Sequence, residues 1–129
     1  MATLKKISKK PTEREMWNRI KGALHHNGRR AYRIEALATP GFPDVVWVME
    51  QGVQLIELKA GPMKFRPLQV KFIKDAHALG QTIWVLNQME KRGEMRVYHG
   101  VDAVDWPALA CDAPEGVLLE KWLEDATNG

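Results

Sequence analysis

After Pro11-Thr12, apolar residues recur at three- and four-residue spacing at Met16, Trp17, Ile20, Ala23 and Leu24. This spacing predicts an amphipathic helix that stops near Asn27-Gly28. The period then shortens. Ala31 to Leu37 alternates loosely around Tyr32 and Ile34, which predicts a first strand closed by Thr39-Pro40-Gly41. Val45 to Met49 and Val53 to Lys59 are β-branched and apolar runs separated by Glu50-Gln51-Gly52, the pattern of a hairpin, and Gly61-Pro62 ends the second run. From Pro67 to Leu79 helical spacing returns through Leu68, Phe72, Ile73, Ala76 and Leu79, with Gly80 as the stop. Thr82 to Leu86 reads as the next strand and Met95 to Tyr98 as one pairing beside it across Glu90-Lys91-Arg92-Gly93. Val117 to Leu123 reads as a final acidic helix. The order is α-β-β-β-α-β with a small appendage: an α/β fold with a central mixed sheet flanked by helices, plus a short C-terminal strand and acidic helix.

With 129 residues, 45% hydrophobic and 27% charged, the chain has the length and composition of one globular domain, which sets aside disordered, collagenous and coiled-coil classes. No apolar run approaches the roughly 18 residues of a membrane span, and residues 1–10 have no apolar signal region, so a cytoplasmic location is expected. The single cysteine, Cys111, makes neither an internal disulfide nor a cysteine zinc site. Charge is distributed unevenly: residues 1–80 carry +8 and residues 81–129 carry −5. The first part would meet a polyanion. Lys5, Lys6, Lys9 and Lys10 lie in a segment without acids or periodicity, read as a flexible basic arm over residues 1–10 ahead of a single domain over 11–129.

The candidate chemistry concentrates between Gly41 and Gly61. Glu57 and Lys59 are two apart on a strand, so they share a face with Leu55 and Val53. With Gln51-Gly52 as a two-residue turn, Asp44 is expected opposite Lys59 and diagonal to Glu57, at Cα separations of roughly 5 and 7 Å. Two carboxylates so close repel unless a cation lies between them. Hard oxygen ligands without His or Cys favour Mg²⁺ or Mn²⁺, which Asp44, Glu57 and the Leu58 backbone carbonyl would hold. Lys59 beside the ion would orient or deprotonate an attacking water, or neutralise charge on a phosphorane-like transition state. The reaction class is metal-dependent phosphodiester hydrolysis. The alternative is a plain ion pair of Lys59 with Glu57 or Asp44 at a strand end.

Pro43-Asp44, thirteen residues on to Glu57, and then Glu57-Leu58-Lys59 resemble the PD-(D/E)XK nuclease signature. More narrowly, Gly41-Phe42-Pro43-Asp44, Glu57-Leu58-Lys59-Ala60 and Arg66-Pro67-Leu68-Gln69 are similar to the VRR-NUC (virus-type replication-repair nuclease) branch, with small stand-alone members in phages and bacteria. The resemblance covers residues 12 to about 87 and implies an α-β-β-β-α-β nuclease core. Phe42 departs from it, being bulkier than the usual small or β-branched residue. In that family a first-helix glutamate faces the site, and Glu13 is the match, as a possible ligand of a second ion or through water. Gln69 lines up with Phe72, Ile73 and Ala76. It either caps its own first helical turn or holds the site lysine or a phosphate, the role the resemblance favours.

The implied catalytic set is therefore Glu13, Asp44, Glu57, Lys59 and Gln69, in a Mg²⁺- or Mn²⁺-dependent DNA endonuclease acting on branched DNA, a four-way junction or a flap in replication, recombination or repair. A catalytically inactive nucleic-acid-binding or phage assembly protein with the same fold is the alternative. Lys64 and Arg66, in the loop after the site strand, are the first candidates for phosphate contacts, followed by Lys71, Arg29, Arg30 and Arg33. Lys71 and Lys74 face outward on the helix and read equally as its solvated side. His25-His26 diverge on a helix and do not chelate one ion, and Trp17, Trp47 and Trp84 read as core. Trp106, Leu109, Val117, Leu118, Trp122 and Leu123 offer either packing of the last helix or a homodimer interface, and the resemblance favours a homodimer.

Overall fold

The computed structural model describes residues 11–34, 39–109 and 115–128, so the expected arm over 1–10 and the end of the first expected strand lie outside the described residues. The elements are α1 (Glu13–Leu24), a 3₁₀ turn (His26–Gly28), β1 (Arg30–Arg33), β2 (Val45–Met49), β3 (Gly52–Ala60), α2 (Pro67–Ala78), β4 (Ile83–Gln88), β5 (Met95–His99), α3 (Gly100–Leu109), β6 (Val117–Leu118) and α4 (Leu119–Asn128). The expected α-β-β-β-α-β order is present. Thr12 caps α1 by accepting a hydrogen bond from the Glu15 amide at 3.1 Å, and Pro67 opens α2 where its missing N–H costs nothing.

The six strands form one mixed sheet in sequence order. Only β3 and β4 run parallel, joined through α2, and every other neighbouring pair is antiparallel. Side chains alternate across the sheet. Val45, Trp47, Ile56, Leu58, Leu86, Met95 and Val97 pack with Met16, Ile20 and Leu24 of α1 and Leu119 of α4 on one face. Ile83 and Val85 pack with Ile73 of α2 and Ala103 of α3 on the other, where Leu55 and Phe72 add partly buried area.

Several expectations change, and one helix was not anticipated. The hairpin turn is Glu50-Gln51, because Met49 pairs with Gly52 and not across it. Gly52 has φ 124°, a twist that glycine takes without strain, and this draws it into the strand. The register moves by two as a result: Val45 pairs with Ile56, so Asp44 sits level with Glu57 and not with Lys59. β1 begins one residue earlier than expected, at Arg30. The run from Gly100 to Leu109 forms a helix that intrinsic propensity disfavours, since it opens on glycine and contains Pro107, yet burial of Ala103 against Ile73, Ile83 and Val85 overrides this. Finally, Val117 and Leu118 pair with β5 as a short strand before the acidic helix begins at Leu119.

The apolar stripe of α2 is also narrower than its spacing suggests. Ile73 is buried, but Leu68 is half exposed and Leu79 is 81% exposed. Trp47 is fully buried, with Trp17 and Trp84 packed around the same core, as expected. Trp122 and Leu123 pack onto that core as well, so this part of the C-terminal apolar patch serves the fold. No helix among the described residues is long and apolar enough to cross a membrane.

Candidate active site

At one end of the sheet, β3 continues past the first residue of β2, and its last residues carry Glu57 and Lys59 toward α2. Both are unusual in their burial, at 2% and 9% exposure. Charged groups this deep require partners. Gln69, at the third position of α2, supplies them. Its Oε1 accepts from Lys59 Nζ at 2.8 Å and from the Arg66 amide at 2.9 Å, while its Nε2 donates to Glu57 Oε1 at 3.0 Å. One oxygen thus caps the helix and meets the lysine. The Lys59 ammonium also lies 4.7 Å from the centroid of the Phe65 ring.

Asp44 lies just before β2, with its carbonyl accepting from the Ile34 amide at 2.7 Å. Its Oδ2 accepts from the Leu58 amide at 2.8 Å. In an extended strand the N–H and C=O of one residue point to the same edge, so the Leu58 carbonyl faces the same side, beyond the end of β2. The preceding loop is fixed by close contact with α2. Phe42 packs edge-on against Phe72 with centroids 5.3 Å apart. Gly41 has φ 90°, and a Cβ there would lie 2.5 Å from the Leu68 carbonyl oxygen. The bulky Phe42 is therefore accommodated by α2, leaving Asp44 free to reach β3.

Burial pushes the Glu57 carboxyl up to about 9, with a hydrogen bond to Asp44 and the Asp44 charge adding to the effect. Burial lowers Lys59, opposed by the carboxylates of Glu57, Asp44 and Glu13. Glu13, at the start of α1, is raised by burial and by Asp44, and is drawn back by Lys59, Arg33 and Arg66. Glu13, Asp44, Glu57 and Lys59 thus shift one another's charge, and Gln69 is hydrogen-bonded to the last two. Among the described residues no three His, Cys, Asp or Glu side chains are grouped to hold a metal ion by themselves. An ion here would rest on two carboxylates, a backbone carbonyl and water.

The expected phosphate contacts divide by position. Lys64 and Arg66 are exposed in the loop after β3, and Arg33 pairs across from Val45 at the same end, 3.9 Å from Glu13. Arg29 and Arg30 lie at the opposite end of β1. Arg29 is buried, bound to Glu50 at 2.9 Å and set 5.7 Å over the Trp47 ring. Burial beneath the sheet corrects its reading as a surface contact. Lys71 is paired with Asp75 at 2.6 Å and Lys74 with Asp105 at 2.9 Å. Two residues at the site were not anticipated. Phe65 lies between Lys64 and Arg66, and its aromatic character beside two cations was the available signal. Asn87 is buried and donates to the carbonyls of Lys59 at 3.0 Å and Gly61 at 2.7 Å, pinning the end of β3. Nothing in its local sequence marks it, because the pairing is across parallel strands.

No family model matches the chain, and no curated protein does. Among solved structures the chain is similar to Hjc of Archaeoglobus fulgidus, described as a Holliday junction resolvase from an archaeal hyperthermophile. Sequence identity is 20% and the TM-score 0.46, over 67% of this chain and 72% of that one.

Proposed function

We propose that this chain is a divalent-metal-dependent DNA endonuclease that hydrolyses phosphodiester bonds in branched DNA, a four-way junction or a flap, within a bacterial or phage-infected cytoplasm. The observation that carries the reading is the meeting of Asp44, Glu57 and Lys59 at one sheet end, with Gln69 bonded to the last two. A plain strand-end ion pair would lie at the surface, whereas Glu57 and Lys59 are buried and share the Gln69 amide.

The donor set suits a hard cation. Two crowded acids keep a proton that an ion of higher charge can displace, and every donor is oxygen. Asp44, Glu57 and the Leu58 carbonyl would hold Mg²⁺ or Mn²⁺, with Glu13 reaching it through water or serving a second ion. When bound, such an ion lowers the pKa of water and offsets charge on the phosphate. The protein's own groups do the rest. Lys59 Nζ donates to a phosphoryl oxygen or orients the attacking water. Gln69 keeps Lys59 and Glu57 aimed at one point. Lys64, Arg66 and Arg33 hold the flanking phosphates.

The deciding experiment is a panel of labelled linear, nicked, flap and four-way-junction DNAs incubated with Mn²⁺, with Mg²⁺ and with chelator. Cleavage of a branched substrate that requires the ion and disappears in Lys59→Ala supports the reading. Full cleavage by Lys59→Ala, or none of any DNA by the wild-type chain, refutes it.

A further inference from the structure

A second concave site lies on the other face of the sheet, at the hairpin end, where α4 crosses β2, β3 and β4. It is a cavity of about 420 Å³ walled by Trp47, Trp84 and Trp122, with Gln51, Gln54 and Asp125 at its rim. That volume falls within the range of small-molecule pockets, far above a packing void. Trp122 lies 5.4 Å from Trp47 and 5.5 Å from Trp84 between ring centroids, so the three indoles form one continuous aromatic wall.

The hydrogen bonding around the cavity selects its ligand. The Trp47 indole N–H donates to the Leu24 carbonyl at 2.8 Å, and that of Trp84 donates to Gln54 Oε1 at 2.9 Å. Both of these donors are used inside the protein, so Trp47 and Trp84 offer the cavity π surface and no donor. The Gln51 amide nitrogen donates to the Ala126 carbonyl at 3.4 Å, which leaves its Oε1 as an acceptor. Among the described residues the Asp125 carboxylate has a long contact from Lys121, at 3.8 Å, between two mostly exposed groups. Electron-rich faces, an acceptor and a carboxylate disfavour an anion, and an uncharged apolar ligand would leave the carboxylate without a role. A cation with an apolar body satisfies all of them.

We infer that this cavity is a binding site for a small organic cation of the alkylated ammonium class, held over the indole faces of Trp84 and Trp122 and neutralised by Asp125. The test is a titration of the full-length chain with choline, followed by tryptophan fluorescence and by calorimetry. Its uncharged counterpart, 3,3-dimethylbutan-1-ol, has the same shape and is titrated in parallel at matched ionic strength. Choline should bind saturably, the neutral alcohol about tenfold or more weaker, and Asp125→Asn should weaken choline several-fold, in line with a desolvated cation over aromatic rings. Trp122→Leu should abolish binding. Because Trp122 also packs on the core, its circular dichroism and melting curve are recorded, and the exposed Asp125→Asn decides the matter if Trp122→Leu does not fold. A linear, non-saturating response to choline, equal binding of the neutral alcohol, or unchanged affinity in Asp125→Asn would overturn the proposal.

Discussion

Glu57 and Gln69 show how much depends on single side chains. Without an ion, the folded state holds the Glu57 proton up to about pH 9, whereas the unfolded chain releases it near 4.5. Over that interval the folded state binds more protons, so stability in chelator should fall as pH rises, by at most about 1.4 kcal/mol per pH unit for one proton. Denaturant unfolding at pH 5, 7 and 9 measures this. Glu57→Gln should flatten the slope and leave the chain at least as stable as wild type, while removing cleavage. A mutant that is inactive because it has unfolded would contradict the account. Gln69→Leu leaves Lys59 Nζ and the Arg66 amide without their shared acceptor, which should cost about 1–3 kcal/mol and lower cleavage by about 100-fold. Gln69→Glu keeps an acceptor for Lys59 but sets a third acid against Glu57, so its activity should recover only in part.

The geometry of the site comes from how elements meet. Asp44 reaches β3 because the loop before β2 lies against the first turn of α2, with Gly41 in contact with the Leu68 carbonyl. Gly41→Ala forces a Cβ into that carbonyl from a backbone conformation that side chains disfavour, and should cost about 1–3 kcal/mol. Thermal unfolding would show a lower midpoint, and cleavage should fall further than stability alone explains because Asp44 moves. Asn87 serves the neighbouring junction, where β4 extends beyond its expected end and anchors β3 at Lys59 and Gly61.

Across the whole molecule, positive charge gathers at the sheet end that bears Glu57 and Lys59, where Arg33, Lys64 and Arg66 lie around the acids. DNA binding measured in Ca²⁺ should therefore weaken steeply with salt. Lys64→Ala with Arg66→Ala should flatten the log–log slope by about 2, whereas Arg30→Ala, at the far end, should leave it unchanged. Equal effects from both ends would mean the duplex does not lie over this site. Symmetric resolution of a four-way junction needs two sites, which a twofold homodimer provides. Sedimentation equilibrium at micromolar concentration should give twice the 14.7 kDa chain mass. A monomer that still nicks both strands in pairs would remove the symmetry argument.

Much of this was legible along the chain because it depends on local period and spacing. Helical and alternating patterns identify α1, β2, β3 and α2, and the Pro-Asp to Glu-x-Lys spacing picks out the three residues that meet. Gln69 follows from its position on a helical stripe, and Glu13 from the family resemblance. Other features are decided only by contacts between segments distant in sequence. A single glycine entering β3 moved the register by two and set Asp44 beside Glu57. α3 formed against its propensity because Ala103 found a buried place between α2 and β4. Arg29, a surface cation by composition, went under the sheet to Glu50 and Trp47. Pairing register and burial are long-range quantities: their free energy comes from surfaces that exist only once the chain has closed, so no local pattern carries them.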